Sequence, residues 1–344
     1  MKIIIDAMGG DNAPLEFLKG GLRAARECQV DVVLVGRVAE LLELMKQQGI
    51  ETLPKGVELM DAEDVVDMHD DPATVHKKRK NSSMVLGLKL LADGGGDAFV
   101  SAGSTGALLS AATLVVKRVR GIRRAAFGPT LPTKTGNLVL IDAGANAECS
   151  PEFLLQFGCM GSFYAKKALG LESPRVGLLN NGAEDSKGDE LHKAAYALLR
   201  DAGERGVIQF VGNVEARDAM LGACDVLVAD GFSGNVMLKS IEGTAMFMGS
   251  LIKRMFLKNW KTKLGYLLLK DGVKELTGML DYNKVGGTML LGICKPVIKA
   301  HGSSNADAVV GAVRQAVAAV ESGICQDIRD HVAEMTLPKE EPHA

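Results

Sequence analysis

The residues able to do chemistry are concentrated in five clusters of Gly, Ser, Asn and Asp: Asp6 to Asn12, Ser101 to Gly106, Asp142 to Glu148, Asn180 to Gly188 and Asp230 to Asn235. Each follows a short apolar run and precedes a stretch readable as helix. Where a strand turns into a helix, backbone N–H groups and the positive helix end converge, which suits an anion. In the Ser101 cluster, Gly103, Ser104, Thr105 and Gly106 open a helix, so Ser104 or Thr105 can either cap it or present hydroxyls to a ligand. The cluster lacks a Walker A Lys-Ser/Thr ending and a GxGxxG run, which argues against nucleotide binding. It is no nucleophile elbow either, because Ala102 stands where GxSxG requires glycine.

The Asp230 cluster repeats the plan with Ser233, Gly234 and Asn235, and Lys239 closes the run. An Asn amide there either donates to a substrate oxygen or caps the helix. Asn181 and Lys187 sit in the Asn180 loop, where a lysine is either a substrate contact or an ordinary surface charge. Asn146 and the carboxylates of neighbouring clusters can orient donors, bind a metal or close turns. His301 precedes another capped helix and reads as an acid/base group or a structural histidine. No histidine falls in a triad or metal-ligand pattern, so no metal or cofactor is expected. The basic run containing Arg118, Arg120, Arg123 and Arg124 follows the helix of the Ser101 loop and suits an acidic macromolecular partner, or is a solvated face.

These clusters need a scaffold that brings them to one edge. Apolar runs at Lys2 to Ile5, Val30 to Val35, Val57 to Met60, Ala98 to Ser101, Asn137 to Asp142, Arg175 to Leu179, Ile208 to Gly212 and Val226 to Ala229 read as strands. They alternate with helical patterns, seven in all, starting at Pro14 to Cys28 and ending at Ala306 to Ser322. That alternation predicts parallel βαβ units. The 344 residues, 47% hydrophobic, suffice for a large core, and short connections favour one α/β domain over 1–334 with two lobes. A helical excursion is expected near 240–285 and a flexible tail over 335–344.

The balance of 40 basic and 42 acidic residues disfavours nucleic acid as a partner. Six dispersed cysteines read as reduced thiols in a cytoplasmic protein, and the immediate strand at Lys2 leaves no room for a signal peptide. The segment Met246 to Leu269 mixes Phe247, Met255, Phe256 and Trp260 with five cations, so it is expected to pack in a dimer or lie on a membrane without crossing it.

Taken in order, Asp6-Ala7-Met8-Gly9-Gly10-Asp11-Asn12-Ala13-Pro14, Ser101 to Ala107, Ile141 to Asn146, Asp230 to Lys239 and Lys299-Ala300-His301-Gly302 closely resemble the PlsX family of acyl-carrier-protein:phosphate acyltransferases, from about Met1 to Gly323. Ser104 departs from the Asn frequent there, and Ala125 from the Pro. The resemblance implies a three-layer α/β/α sandwich similar to the isopropylmalate dehydrogenase and phosphotransacetylase folds. It further implies a homodimer that transfers a fatty acyl group from acyl carrier protein to inorganic phosphate for phospholipid synthesis, with Lys187 and Asn235 essential. On that reading the arginines of the 118–124 run dock acidic carrier protein, and a membrane-bound glycerol-3-phosphate acyltransferase is a further partner. Two rivals remain at this level: a nicotinamide-dependent dehydrogenase on the same fold, and a non-catalytic scaffold at the membrane.

Overall fold

The computed structural model describes residues 1–280 and 286–336. Twelve strands among them form two sheets. The first contains β1 (Lys2–Asp6), β2 (Asp31–Gly36), β3 (Val57–Asp61), β4 (Ala98–Ser101) and β5 (Ala126–Gly128), and is completed late in the chain. The second contains β6 (Thr130–Thr133), β7 (Gly136–Ile141), β8 (Arg175–Leu179), β9 (Gln209–Val214) and β10 (Val226–Val228). The chain then returns to the first sheet with β11 (Thr288–Leu291) and β12 (Val297–Lys299). The strand orders are β3-β2-β1-β4-β12-β11-β5 and β6-β7-β10-β8-β9. Pairing is parallel from β3 through to β12 and from β7 through to β9, and antiparallel at β11 and at β6.

The first sheet is covered on both faces, which explains why β1 reads as an unbroken apolar run. Ile3 and Ile5 point into one apolar cluster and Ile4 into another, the two-residue alternation of a strand between two helical layers. Helices Leu15–Glu27 and Ala306–Ser322 contribute to the first cluster, and Ser83–Ala92 and Thr105–Ala112 to the second. The first cluster continues without a break into the second sheet through Ile141, Val176, Val226 and Phe157. The expected α/β/α layering with mostly parallel strands is therefore present, divided between two sheets that share a core.

All eight strands and all seven helices expected from the sequence form, with ends displaced by a few residues at most. The strands β5, β6, β11 and β12 were not expected; at three or four residues each, they are too short to display a period. Helices Val75–Lys78, Ala216–Met220 and Ile324–Asp330 are short for the same reason. The helical excursion starts at Gly231, not near 240, because the capped helix of the Asp230 cluster runs on without a break to Leu257 and is followed by Trp260–Leu280. Phe256 meets Tyr266 edge-on at 5.4 Å between the two helices. Residues 281–285, within the excursion, lie outside the described residues. At the other end Met335 is fully buried, so ordered packing extends past 334, and 337–344 of the expected tail lie outside the described residues.

Candidate active site

In the first sheet the chain runs outward from β1 through β2 to β3 and then crosses back to β4 on the other side of β1. A crevice opens at the carboxyl ends of the strands where the order reverses in this way. Here the loops after β1 and β4 touch: a Cβ on Gly9 would lie 2.6 Å from Asp6 Oδ2 and 2.8 Å from the Gly103 nitrogen. Glycine is required at this approach. The Ser101 hydroxyl locks it, donating to Asp6 Oδ2 at 2.7 Å and accepting the Gly103 N–H at 3.1 Å. Burial raises the Asp6 carboxyl above its ordinary value, opposed by hydrogen bonds from Ser83, Ser101 and the backbone of Met8 and Gly9.

The second sheet contributes the loops after β7 and β10. Asp142 is fully buried and accepts N–H bonds from Phe127, Ala145 and Asn146. Burial raises its pKa against these donors. The Asn146 side chain donates to Asp142 Oδ2 at 2.9 Å and to the Ala125 carbonyl at 2.8 Å. Its amide donors are thereby committed to holding the loop.

Between the two lobes lies a cleft of about 310 Å³. It is lined by Thr105, Gly144, Asn235, Lys239, Lys299 and His301, among others. The helix beginning at Thr105 has Ser104 at its N-cap position, but the Ser104 side chain makes no capping hydrogen bond. Its first-turn N–H groups have no intrahelical acceptor, as at any helix start. The helix beginning at Gly231 differs. There Asp230 Oδ1 accepts the N–H groups of Phe232 at 3.0 Å and Ser233 at 2.9 Å, filling that helix end with protein carboxylate. Of the two helix N-termini, the one at Thr105 is therefore suited to an exogenous anion.

Asp230 also excludes Asn235 as the cap of this helix. The cap position is taken, and Asn235 sits one turn further on with its amide against Gly144. That amide makes no hydrogen bond to another described residue, and it faces the cleft. Lys239, one turn on again, pairs with Glu242 at 2.7 Å, and both line the cleft.

Lys299, at the end of β12, was missed in the sequence because its strand is three residues long and parallel to a neighbour almost two hundred positions away. The clue was its place at the head of the Lys299-Ala300-His301-Gly302 run. Its half-buried ammonium donates to the carbonyls of Ala102 and Ala300, which leaves one of three donors for a ligand. Burial pushes its pKa down to about 8; Lys239 adds to this, while Asp11 and Asp6 oppose it. It remains mostly protonated at neutral pH. His301 is held by Ser303, whose N–H donates to Nδ1 at 3.2 Å, so the neutral ring carries its proton on Nε2. Desolvation lowers its pKa, reinforced by Lys239 and Lys299 and opposed by Glu242 and Asp11.

The cleft thus gathers four residues singled out in the sequence: Thr105, Asn235, Lys239 and His301. Others stand apart from its lining. The Gly103 N–H is spent on Ser101, and Gly106 packs against Pro72. Ser233 gives its N–H to the cap, and Gly234 packs on the Asp142 backbone. Asn181 and Lys187 lie on the exposed loop after β8, pinned by Asn180 bonding to the Lys187 carbonyl at 3.2 Å and to Asn213 at 3.0 Å. The basic run does not form one face. Arg123 pairs with Glu152 at 3.2 Å, Arg120 is exposed, and Arg118 and Arg124 turn into a second cavity.

Residues 1–327 match the family model described as "Fatty acid synthesis protein". The phosphate acyltransferase of Caldanaerobacter subterraneus subsp. tengcongensis is 44% identical over 333 residues, covering 96% of this chain and 97% of the relative. That of Pelotomaculum thermopropionicum is 45% identical over 332 residues, covering 96% and 95%. The chain belongs to this family. It is an acyltransferase, which sets aside the dehydrogenase and scaffold readings. A phosphotransacetylase from Streptococcus pyogenes shares the fold, with a TM-score of 0.60 at 16% identity over 92% of this chain and 94% of that one. Among the described residues no single helix is long and apolar enough to cross a membrane.

Proposed function

We propose that the cleft transfers a fatty acyl group from the thioester of acyl carrier protein directly to inorganic phosphate, releasing acyl phosphate and the carrier thiol. One observation carries this reading: a helix start without a side-chain cap, a half-buried lysine and an unengaged Asn amide all line one cleft. Phosphate is an oxyanion at pH 7 and needs no base. One of its oxygens bonds to the thioester carbon, the C–S bond breaks, and a thiolate of pKa about 8.5 leaves. The enzyme must align the two and stabilise charge on the carbonyl oxygen. The N–H groups at Thr105 and the Lys299 ammonium hold phosphate, Asn235 donates to the developing oxyanion, and the departing thiolate takes its proton from water.

A competing route through an acyl-cysteine has no thiol in place, because none of the six cysteines is among the described residues that line the cleft. Cys149 lies against the Asn146 loop, and burial pushes its thiol up to about 12. A part for Lys187 in this chemistry requires the loop 180–188 to close over the cleft. The hairpin of Gly231–Leu257 and Trp260–Leu280 exposes Met246, Phe247, Trp260, Leu267 and Leu268, which supports an association surface there, for a second copy or a membrane. A cytoplasmic enzyme working at the membrane surface fits both.

Mixing the enzyme with acyl carrier protein thioester and phosphate should yield acyl phosphate by mass, with thiol release that depends on phosphate. Thiol release at the same rate without phosphate would refute the assignment. The Lys299 charge adds a pH signature. The ammonium is present below pH about 8 and lost as pH rises through it. The KM for phosphate should therefore climb above that pH, and Lys299→Arg, which keeps its charge, should move the rise to higher pH. Phosphate KM values that stay flat to pH 9.5 in the wild type would remove Lys299 from the phosphate site.

A further inference from the structure

A second cavity of about 300 Å³ is lined by Leu109, Thr113, Arg118, Arg124, Asn146 and the exposed Glu148, together with Ala125 and Ala145. It shares both walls with the catalytic cleft. Thr105 lines the cleft and Leu109 and Thr113 line the second cavity, at steps of four along one helix face. The opposite wall is the loop after β7, with Ala143 and Gly144 in the cleft and Ala145 and Asn146 in the cavity. The two spaces follow each other along one line, about 12 Å from Thr105 to Thr113 at 1.5 Å per residue.

The far end of this line is cationic, with two arginines against one exposed carboxylate, Glu148, in its lining. Arg118 is half-buried and donates to the Arg123 carbonyl, and Arg124 lies over the Phe153 ring at 5.5 Å. Among the described residues neither guanidinium forms an ion pair with a carboxylate, whereas the neighbouring Arg123 does. Partial burial and the adjacent Arg124 charge lower the Arg118 pKa, the mark of a cation pair that an anion would relieve.

We infer that Arg118 and Arg124 hold the phosphate group at the head of a phosphopantetheine arm whose thioester end lies in the catalytic cleft. This rests on the acyltransfer reading above and adds to it the place where the arm is gripped. Phosphorus and sulfur are separated in the arm by roughly 13 bonds, the backbone length of about four residues, or ~15 Å extended. That matches an arm running along the Thr105–Leu109–Thr113 face from the arginines to Asn235. Planar guanidinium groups suit a phosphate better than a lysine would. The arrangement also assigns separate sites to the two phosphorus-bearing groups the reaction requires: inorganic phosphate at Lys299 and the arm's phosphate at the arginines.

The test compares two minimal thioesters with the same acyl group, acyl-phosphopantetheine and acyl-pantetheine, at saturating inorganic phosphate. Wild-type enzyme should prefer the phosphorylated arm in kcat/KM by about tenfold or more. In Arg124→Ala the ratio should fall towards one, and in Arg124→Lys it should lie between, with melting temperatures confirming that all three proteins are folded. Equal use of the two thioesters by the wild type would overturn the inference. So would an Arg124→Ala enzyme that keeps the full ratio but loses activity with acyl carrier protein, since the arginines would then grip carboxylates on the carrier surface. Phosphate-dependent turnover of none of the thioesters, the carrier protein's included, would instead remove the acyltransfer reading itself.

Discussion

Asn235→Ala is expected to lower kcat by about 10²–10³, while the melting temperature stays close to that of the wild type. The side chain is exposed in the cleft and makes no hydrogen bond to another described residue, so removing it leaves no buried group without a partner. Its backbone lies one turn inside a helix whose start is secured by Asp230. The loss therefore falls on a hydrogen bond formed as charge appears on the thioester oxygen, worth about 3–4 kcal/mol in a preorganised site. Asn235→Asp should be at least as damaging, because it places an acceptor and a negative charge where a donor is needed. Steady-state rates of phosphate-dependent thiol release decide the matter. Near-normal turnover in the alanine variant would show that the oxyanion is stabilised elsewhere.

Gly234→Ala should act in the opposite way, through stability. A Cβ at this position would collide with the carbonyl oxygen of Asp142, a backbone atom fixed by the buried Asp142 loop and unable to move aside as a side-chain tip could. Overpacking of this kind costs about 3 kcal/mol, and it shifts Asn235 next door. A clear fall in melting temperature together with lower kcat is expected. Gly243→Ala is the internal control: it lies in the same helix with open space around it, so alanine should stabilise by about 0.5–1 kcal/mol. If both variants melted alike, the contact between the helix and the Asp142 loop would not be the tight one seen here.

Much of this enzyme was legible in its residue order. The βα alternation, the apolar runs buried on two faces and the five polar strand ends all follow from local chemistry, since strand period, helix period and turn preference are read over a few residues. That is why β1, β2, β4, β7, β8 and β10 form where their runs predict, and why Thr105 and Asn235 could be singled out. Competition among those candidates was not legible. Whether Ser104 or Asp230 caps its helix, and whether the Asn146 amide is free or spent, depends on which partner the fold brings within 3 Å. Lys187 and Lys299 look alike as letters in a chain. β12 lies beside β4 through pairing of Lys299 with Ser101, whereas the β8 loop leaves Lys187 exposed. Order along the chain determined the strands, the helical layers and the strand ends at which the polar clusters gather. Only the folding of distant segments against one another decided which cations and amides line the cleft, because the burial and pairing that set a side chain's charge and availability are made by residues far away in sequence.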